Sequence, residues 1–200
     1  MSEKLNRHAI VVLVCASIIL AISLGIRHSF GLFLQPISLE GGWGRDVFAF
    51  AIALQNLVWG VSQPFVGMMA DRLGAGRIII AGTIIYALGL LVMANPHGQF
   101  VFTLGAGILV GLGLAGTPYP LVLGAVSRAV PPEKRSLALG IAMAGASAGQ
   151  FLMLPSALYG INLFGGPGAL MAMSLIAVVM VPLASPLFER GRSAAAPASH

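Results

Sequence analysis

Gly67-Met68-Met69-Ala70-Asp71-Arg72-Leu73-Gly74-Ala75-Gly76-Arg77 separates two long apolar runs. The stretch is short, charged and broken by glycine. An apolar run on each side, each long enough to span a bilayer, turns it into a tight hairpin between two membrane helices. This reading decides the fold class: all α, with lipid as the solvent for most of the chain.

Composition agrees. The 200 residues are 58% hydrophobic and only 8% charged, against about 25% charged residues in soluble domains. A globular core of this size cannot hide so much apolar side chain. The formal net charge of +5 does not point to nucleic acid, because the basic residues sit between apolar runs and form no continuous face. Cys15 is a single cysteine inside an apolar run. It has no intrachain disulfide partner and reads as a small packing residue.

Six apolar segments follow from length and hydropathy: about 9–34, 48–69, 78–94, 100–126, 137–163 and 169–187. Gln35-Pro36 is expected to end the first, Asn95-Pro96-His97-Gly98 the third and Gly165-Gly166-Pro167 the fifth. The first segment follows Lys4 and Arg7 but outruns the ~7–15 apolar residues of a signal peptide, so it reads as a retained span. The expected organisation is a cytoplasmic N-terminus over 1–8, a six-helix transmembrane domain over 9–188 and a disordered cytoplasmic tail over 189–200. If the spans alternate, Lys4, Arg7, Arg72, Arg77, Arg128, Lys134, Arg135, Arg190 and Arg192 share one side, and Arg45 alone takes the other. The positive-inside rule then places both termini in the cytoplasm. The expected location is the plasma (inner) membrane, as a multi-pass protein.

Two stretches carry a family resemblance. The 67–77 hairpin resembles the signature loop of the major facilitator superfamily: Gly67, three apolar residues, Asp71-Arg72, one residue, Gly74, then a basic residue. Many members end this loop with two adjacent basic residues, whereas here Gly76 precedes the lone Arg77. Lys134-Arg135-Ser136-Leu137-Ala138-Leu139-Gly140-Ile141-Ala142-Met143-Ala144-Gly145 resembles the start of the fifth helix in the monocarboxylate and oxalate/formate porter branch. Ser29-Phe30-Gly31-Leu32-Phe33 and Gly111-Leu112-Gly113-Leu114-Ala115 agree. Pro131-Pro132 replaces the aromatic pair that often precedes the basic pair, and the acidic tryptophan motif expected before the first span is absent.

The resemblance implies the N-terminal half of a twelve-helix transporter, built as a 3+3 inverted repeat with its site near the midplane. It implies secondary transport of a small organic anion, with protons as candidate co-substrate. The six helices would pair with a second six-helix half or a second copy of the chain. A non-transporting membrane subunit, or an inactive truncated fragment that binds a partner, is the alternative. No enzymatic activity, cofactor or nucleic-acid partner is expected. His8, His28, His97 and His200 lack metal-ligand spacing, and there is no phosphate loop.

Arg27 is the leading site candidate. An arginine at the centre of a bilayer costs about 2.5–3.5 kcal/mol on insertion scales. In the resembled family a cation at this place faces the central cavity and helps bind a carboxylate, and a guanidinium suits that task through paired hydrogen bonds. The other reading is an anchor: residues 9–39 make a helix of roughly 46 Å, long enough for Arg27 to snorkel to an interface. Gln55, Trp59 and Gln63 fall at i, i+4 and i+8 on one face of the second span, with Asn56 alongside. Cavity lining and interhelical hydrogen bonding both account for them. Tyr119, between Pro118 and Pro120, and Gln150 complete the substrate-binding candidates, with Thr117 and Tyr159 behind them. Gly67, Asp71, Arg72, Gly74 and Arg77 are the gating candidates implied by the resemblance. Of these, Asp71 would latch a helix N-terminus.

Overall fold

The computed structural model describes residues 6–95, 97–116 and 119–188, with the side chains of Tyr119 and Pro120 outside that set. Thr117, the Tyr119 side chain and the 189–200 tail therefore lie outside the described residues. Among those described there is no strand, and helices follow one another in sequence. They are α1 Arg7–Gly41, α2 Arg45–Leu73, α3 Ala75–Ala94, α4 Gln99–Thr103, α5 Val110–Gly116, α6 Tyr119–Ala129, α7 Arg135–Val178 and α8 Met180–Leu183. A π-helical turn, Leu104–Leu109, joins α4 to α5.

Among the described residues, four stretches are long and apolar enough to cross a membrane: Arg7–Gly41, Ala75–Ala94, Gln99–Ala129 and Pro132–Leu183. Helix α2 has the length, at 29 residues, but is not among them. Gln55, Asn56 and Gln63 in its middle lower its apolarity, and that is where the candidate site lies.

Of two sequence-drawn boundaries, one differs from the structure and one coincides with a break in it. Pro36 does not end the first segment, because α1 continues through it to Gly41. A proline removes one backbone donor, here the one that would pair with the Leu32 carbonyl, and α1 continues past that single loss. The Gly165-Gly166-Pro167 loop is a break inside α7: Gly165 alone leaves helical geometry, with φ 71° and ψ 177°. Glycine adopts a positive φ without a Cβ penalty, so one residue kinks the helix where a longer loop was expected. Gly74, φ 90°, does the same work between α2 and α3.

Small residues set the packing. A Cβ added to Gly145 would sit 2.8 Å from the Ser17 Cβ, and one added to Gly25 would sit 2.9 Å from the Gly149 carbonyl. Gly149 is tighter still, against Ala21. The contacts pair 17 with 145, 21 with 149 and 25 with 149 and 153, so α1 and the first part of α7 run parallel. Gly82 meets Gly116, and Gly113 meets the Tyr86 backbone, which brings α5 onto α3. In lipid, close backbone approach of this kind replaces the hydrophobic drive between helices. The bulk of the core is Phe33, Ile37, Tyr86, Leu90, Phe102 and Leu170, all fully buried.

Candidate functional site

Arg27 lies one turn beyond Ser23 on α1, and its side chain turns toward α2. Its Nη2 donates to Asn56 Oδ1 at 2.5 Å, and its guanidinium carbon sits 4.7 Å from the Trp59 ring centroid. Asn56 Nδ2 in turn donates to the Ile52 carbonyl at 3.0 Å. That second bond fixes the amide so that its oxygen, not its nitrogen, faces the guanidinium. Asn56 and Trp59 are three residues apart and share one helix face. Arg27 is thus held by an amide oxygen and an aromatic face, both neutral.

Helix α5 presses α2 from behind. A Cβ on Gly111 would fall 2.9 Å from the Gln55 carbonyl and 3.0 Å from the Val58 Cβ. Gln55 is buried, and its Oε1 has no hydrogen-bond partner. The Arg27 Nε and Trp59 Nε1 are likewise buried without partners. Unpaired buried polar atoms cost stability; three of them gather in this cluster, while Ser38 Oγ, Trp43 Nε1 and Thr83 Oγ1 are others in the bundle.

In front of the cluster, α1 and α2 enclose a cavity of about 620 Å³. Arg27, Arg45, Gln55 and Asn56 supply its polar lining, and Phe30, Phe48 and other apolar residues complete it. Among the described residues that line it, none is acidic. The volume is within the range of small-molecule pockets.

The sequence-predicted residues divide accordingly. Arg27 and Gln55 line the cavity, while Trp59 stacks on Arg27 beside it. Gln63 and Gln150 are half-buried and do not line it. His28 is exposed, with Nδ1 2.8 Å from the Leu24 carbonyl, so its ring is occupied by its own helix. Of the gating candidates, Asp71, Arg72 and Arg77 are exposed and Gly67 and Gly74 half-buried. The periodicity grouped Gln55 with Trp59, but Asn56 is what joins Trp59 in holding Arg27. Tyr86 was missed: it is fully buried, its hydroxyl donates to the Ser23 carbonyl at 3.4 Å, and it lies within electrostatic reach of Arg27. Nothing in its apolar sequence surroundings marks it.

Residues 9–199 match the Major Facilitator Superfamily. The chain belongs to that superfamily. It is therefore an integral, multi-pass membrane protein of a transporter family, not an enzyme. Among curated relatives it is 29% identical over 172 residues to monocarboxylate transporter 11 of Mus musculus, covering 86% of this chain and 38% of that one. The Homo sapiens protein of the same name is 29% identical over 192 residues, covering 94% and 40%. A probable chloroplastic anion transporter 4 of Arabidopsis thaliana is 28% identical over 157 residues, covering 76% and 29%. The chain thus spans about two-fifths or less of the length of the relatives it matches.

Proposed function

We propose that this superfamily chain moves a small, monocarboxylate-like organic anion across a membrane by alternating access, with Arg27 as carboxylate ligand. The observation that carries the reading is the state of Arg27. Its contacts are Asn56 and Trp59, neither of which neutralises it, and it faces a cavity with no acidic lining among the described residues. A guanidinium kept charged at such a place favours an anion. The names of the relatives, a monocarboxylate transporter and an anion transporter, support the same class.

In this reading residues 9–188 make six spans in two inverted three-helix units, and α7 supplies two spans across its break at Gly165. The match to about two-fifths of its relatives' length supports a working unit completed by six further helices, from a second half or a second copy. Both termini face the cytoplasm of a cell whose plasma (inner) membrane holds the protein. The Gly67–Arg77 hairpin gates that side, with Asp71 as latch. Gln63, Tyr119 and Gln150 lie along the path of the anion as the helices move, and protons are the candidate co-substrate.

The test is uptake of labelled propionate into vesicles holding the reconstituted active form. Arg27→Ala should abolish it, and Arg27→Lys should retain part, since charge survives but the paired donor geometry does not. Uptake unchanged in Arg27→Ala would sink the substrate role and favour a non-transporting subunit.

A further inference from the structure

The cavity holds a second cation that the carboxylate-binding reading does not use. Arg45 opens α2 and lines the same cavity as Arg27. Asn56, which fixes Arg27, lies about three turns further along α2, a rise of about 16 Å. The neighbouring Asp46 does not belong to the lining, and its carboxylate folds back against Gly44. Between the two guanidinium groups the described walls are apolar or amide, with Ile52 and Gln55 on the α2 side. Two cations about three turns apart along α2, on a cavity with no acidic lining among the described residues, define a graded path for negative charge, because low-dielectric walls focus the field along the cavity.

The geometry points to Arg45 as the outer station of the anion path: a specificity residue that selects for negative charge at the mouth and raises occupancy at Arg27. This inference rests on the reading of Arg27 as the carboxylate ligand. Arg45 is exposed, so its effect is long-range and screened by salt. With the helix rise of about 16 Å taken as the scale of the separation, a unit charge changes affinity about two- to fivefold for effective dielectric constants between water and a protein surface. Reversing the charge squares that factor. Arg7 serves as control: it is exposed and starts α1, about 30 Å from Arg27 by helix rise.

The protein supplies its own reporter. It has two tryptophans, and Trp59 stacks on Arg27. With Trp43→Phe in the full chain, held in lipid nanodiscs, Trp59 fluorescence reports directly on the guanidinium. Sodium propionate is the probe, and the uncharged propionamide is its control. At about 10 mM ionic strength, where the Debye length is about 30 Å, Arg45→Gln should raise the propionate dissociation constant about two- to fivefold. Arg45→Glu should raise it further, Arg45→Lys should match the parent, and Arg7→Gln should raise it less than Arg45→Gln does. At about 1 M, where the Debye length is about 3 Å, all four should converge. An unchanged constant in both Arg45→Gln and Arg45→Glu at low ionic strength overturns the outer station while leaving Arg27's role intact. A response absent from the parent, or one that survives Arg27→Gln, overturns the carboxylate reading itself and the outer station with it.

Discussion

Helix α1 meets α7 and α2 on opposite terms. Toward α7 it presents Ser17, Ala21 and Gly25, small residues one turn apart, against Gly145 and Gly149. The backbones touch and no space is left. Toward α2 it presents Arg27, Phe30 and Gly31, and the helices part around a cavity. The two faces differ in what they tolerate. On the α7 side the shape of the backbone sets the fit, and a single methyl has nowhere to go. On the α2 side charge and hydrogen bonds set the arrangement, and space is available. A bundle that must change shape around a ligand needs both: one seam that keeps α1 rigid and one face that stays open.

The largest effect should come from breaking the closed seam. A Cβ at Gly149 would overlap Ala21 backbone and side chain. Gly149→Val should destabilise the bundle by about 3 kcal/mol or more, beyond ordinary overpacking, and should show as loss of a monodisperse species in detergent. Gly140, on the same helix, has nothing within 4 Å of its virtual Cβ, so Gly140→Ala should keep the melting temperature. Gly31→Ala tests the open face in the same way: it too has free space, and thermal stability should hold. Equal sensitivity of Gly149 and Gly31 would erase the distinction between the seams.

Next in size is the clasp on Arg27. Asn56→Ala removes the one side-chain hydrogen bond to the guanidinium among the described residues. Hydrogen bonds to charged groups contribute about 1.5–3 kcal/mol when buried, and this partly exposed one should contribute less, so propionate affinity should fall about tenfold. Trp59→Phe keeps an aromatic face but weakens the cation–π contact, and should cost about threefold or less. Isothermal titration with propionate reads both. A Trp59→Phe loss larger than that of Asn56→Ala would mean that the ring, rather than the amide, orients Arg27.

The sequence made the spans and the charge on the open face legible for different reasons. Apolar length and the Asp71–Arg77 hairpin are local features, and local features survive in one dimension. Arg27 stood out because a cation inside an apolar run has no cheap explanation. What could not be read is whatever depends on how helices diverge. Asn56 became Arg27's partner, although helical spacing favoured Gln55 with Trp59, because Gly111 draws the Gln55 side of α2 toward α5. Arg45 enters the sequence reading only as the lone cation on its side, because its place on the cavity wall depends on how α1 and α2 diverge. Pro36 looked like a terminator because the tolerance of a long helix for one missing donor leaves no local sign. The break in α7 was legible at Gly165-Gly166-Pro167, but that Gly165 alone makes it depends on its φ, which composition does not encode.

The smallest effect should come from Tyr86, and it separates shape from bonding on the closed side. Tyr86 is fully buried and its ring fills the space between α3 and α1. Its hydroxyl reaches the Ser23 carbonyl at 3.4 Å, a long bond. That carbonyl lies inside α1, where the backbone N–H of Arg27 is its regular helical donor. Removing the hydroxyl therefore strands no acceptor. Tyr86→Phe should change stability by less than about 1 kcal/mol and leave the propionate affinity within about twofold. Tyr86→Ala, which empties the volume, should cost about 3–5 kcal/mol, the range for large aromatic truncations in a packed core. Thermal unfolding in one detergent compares the two variants directly. If Tyr86→Phe proved as damaging as Tyr86→Ala, the polar bond to Ser23 would be what holds the Arg27 turn. The packed side of α1 would then depend on hydrogen bonding as much as the open side does.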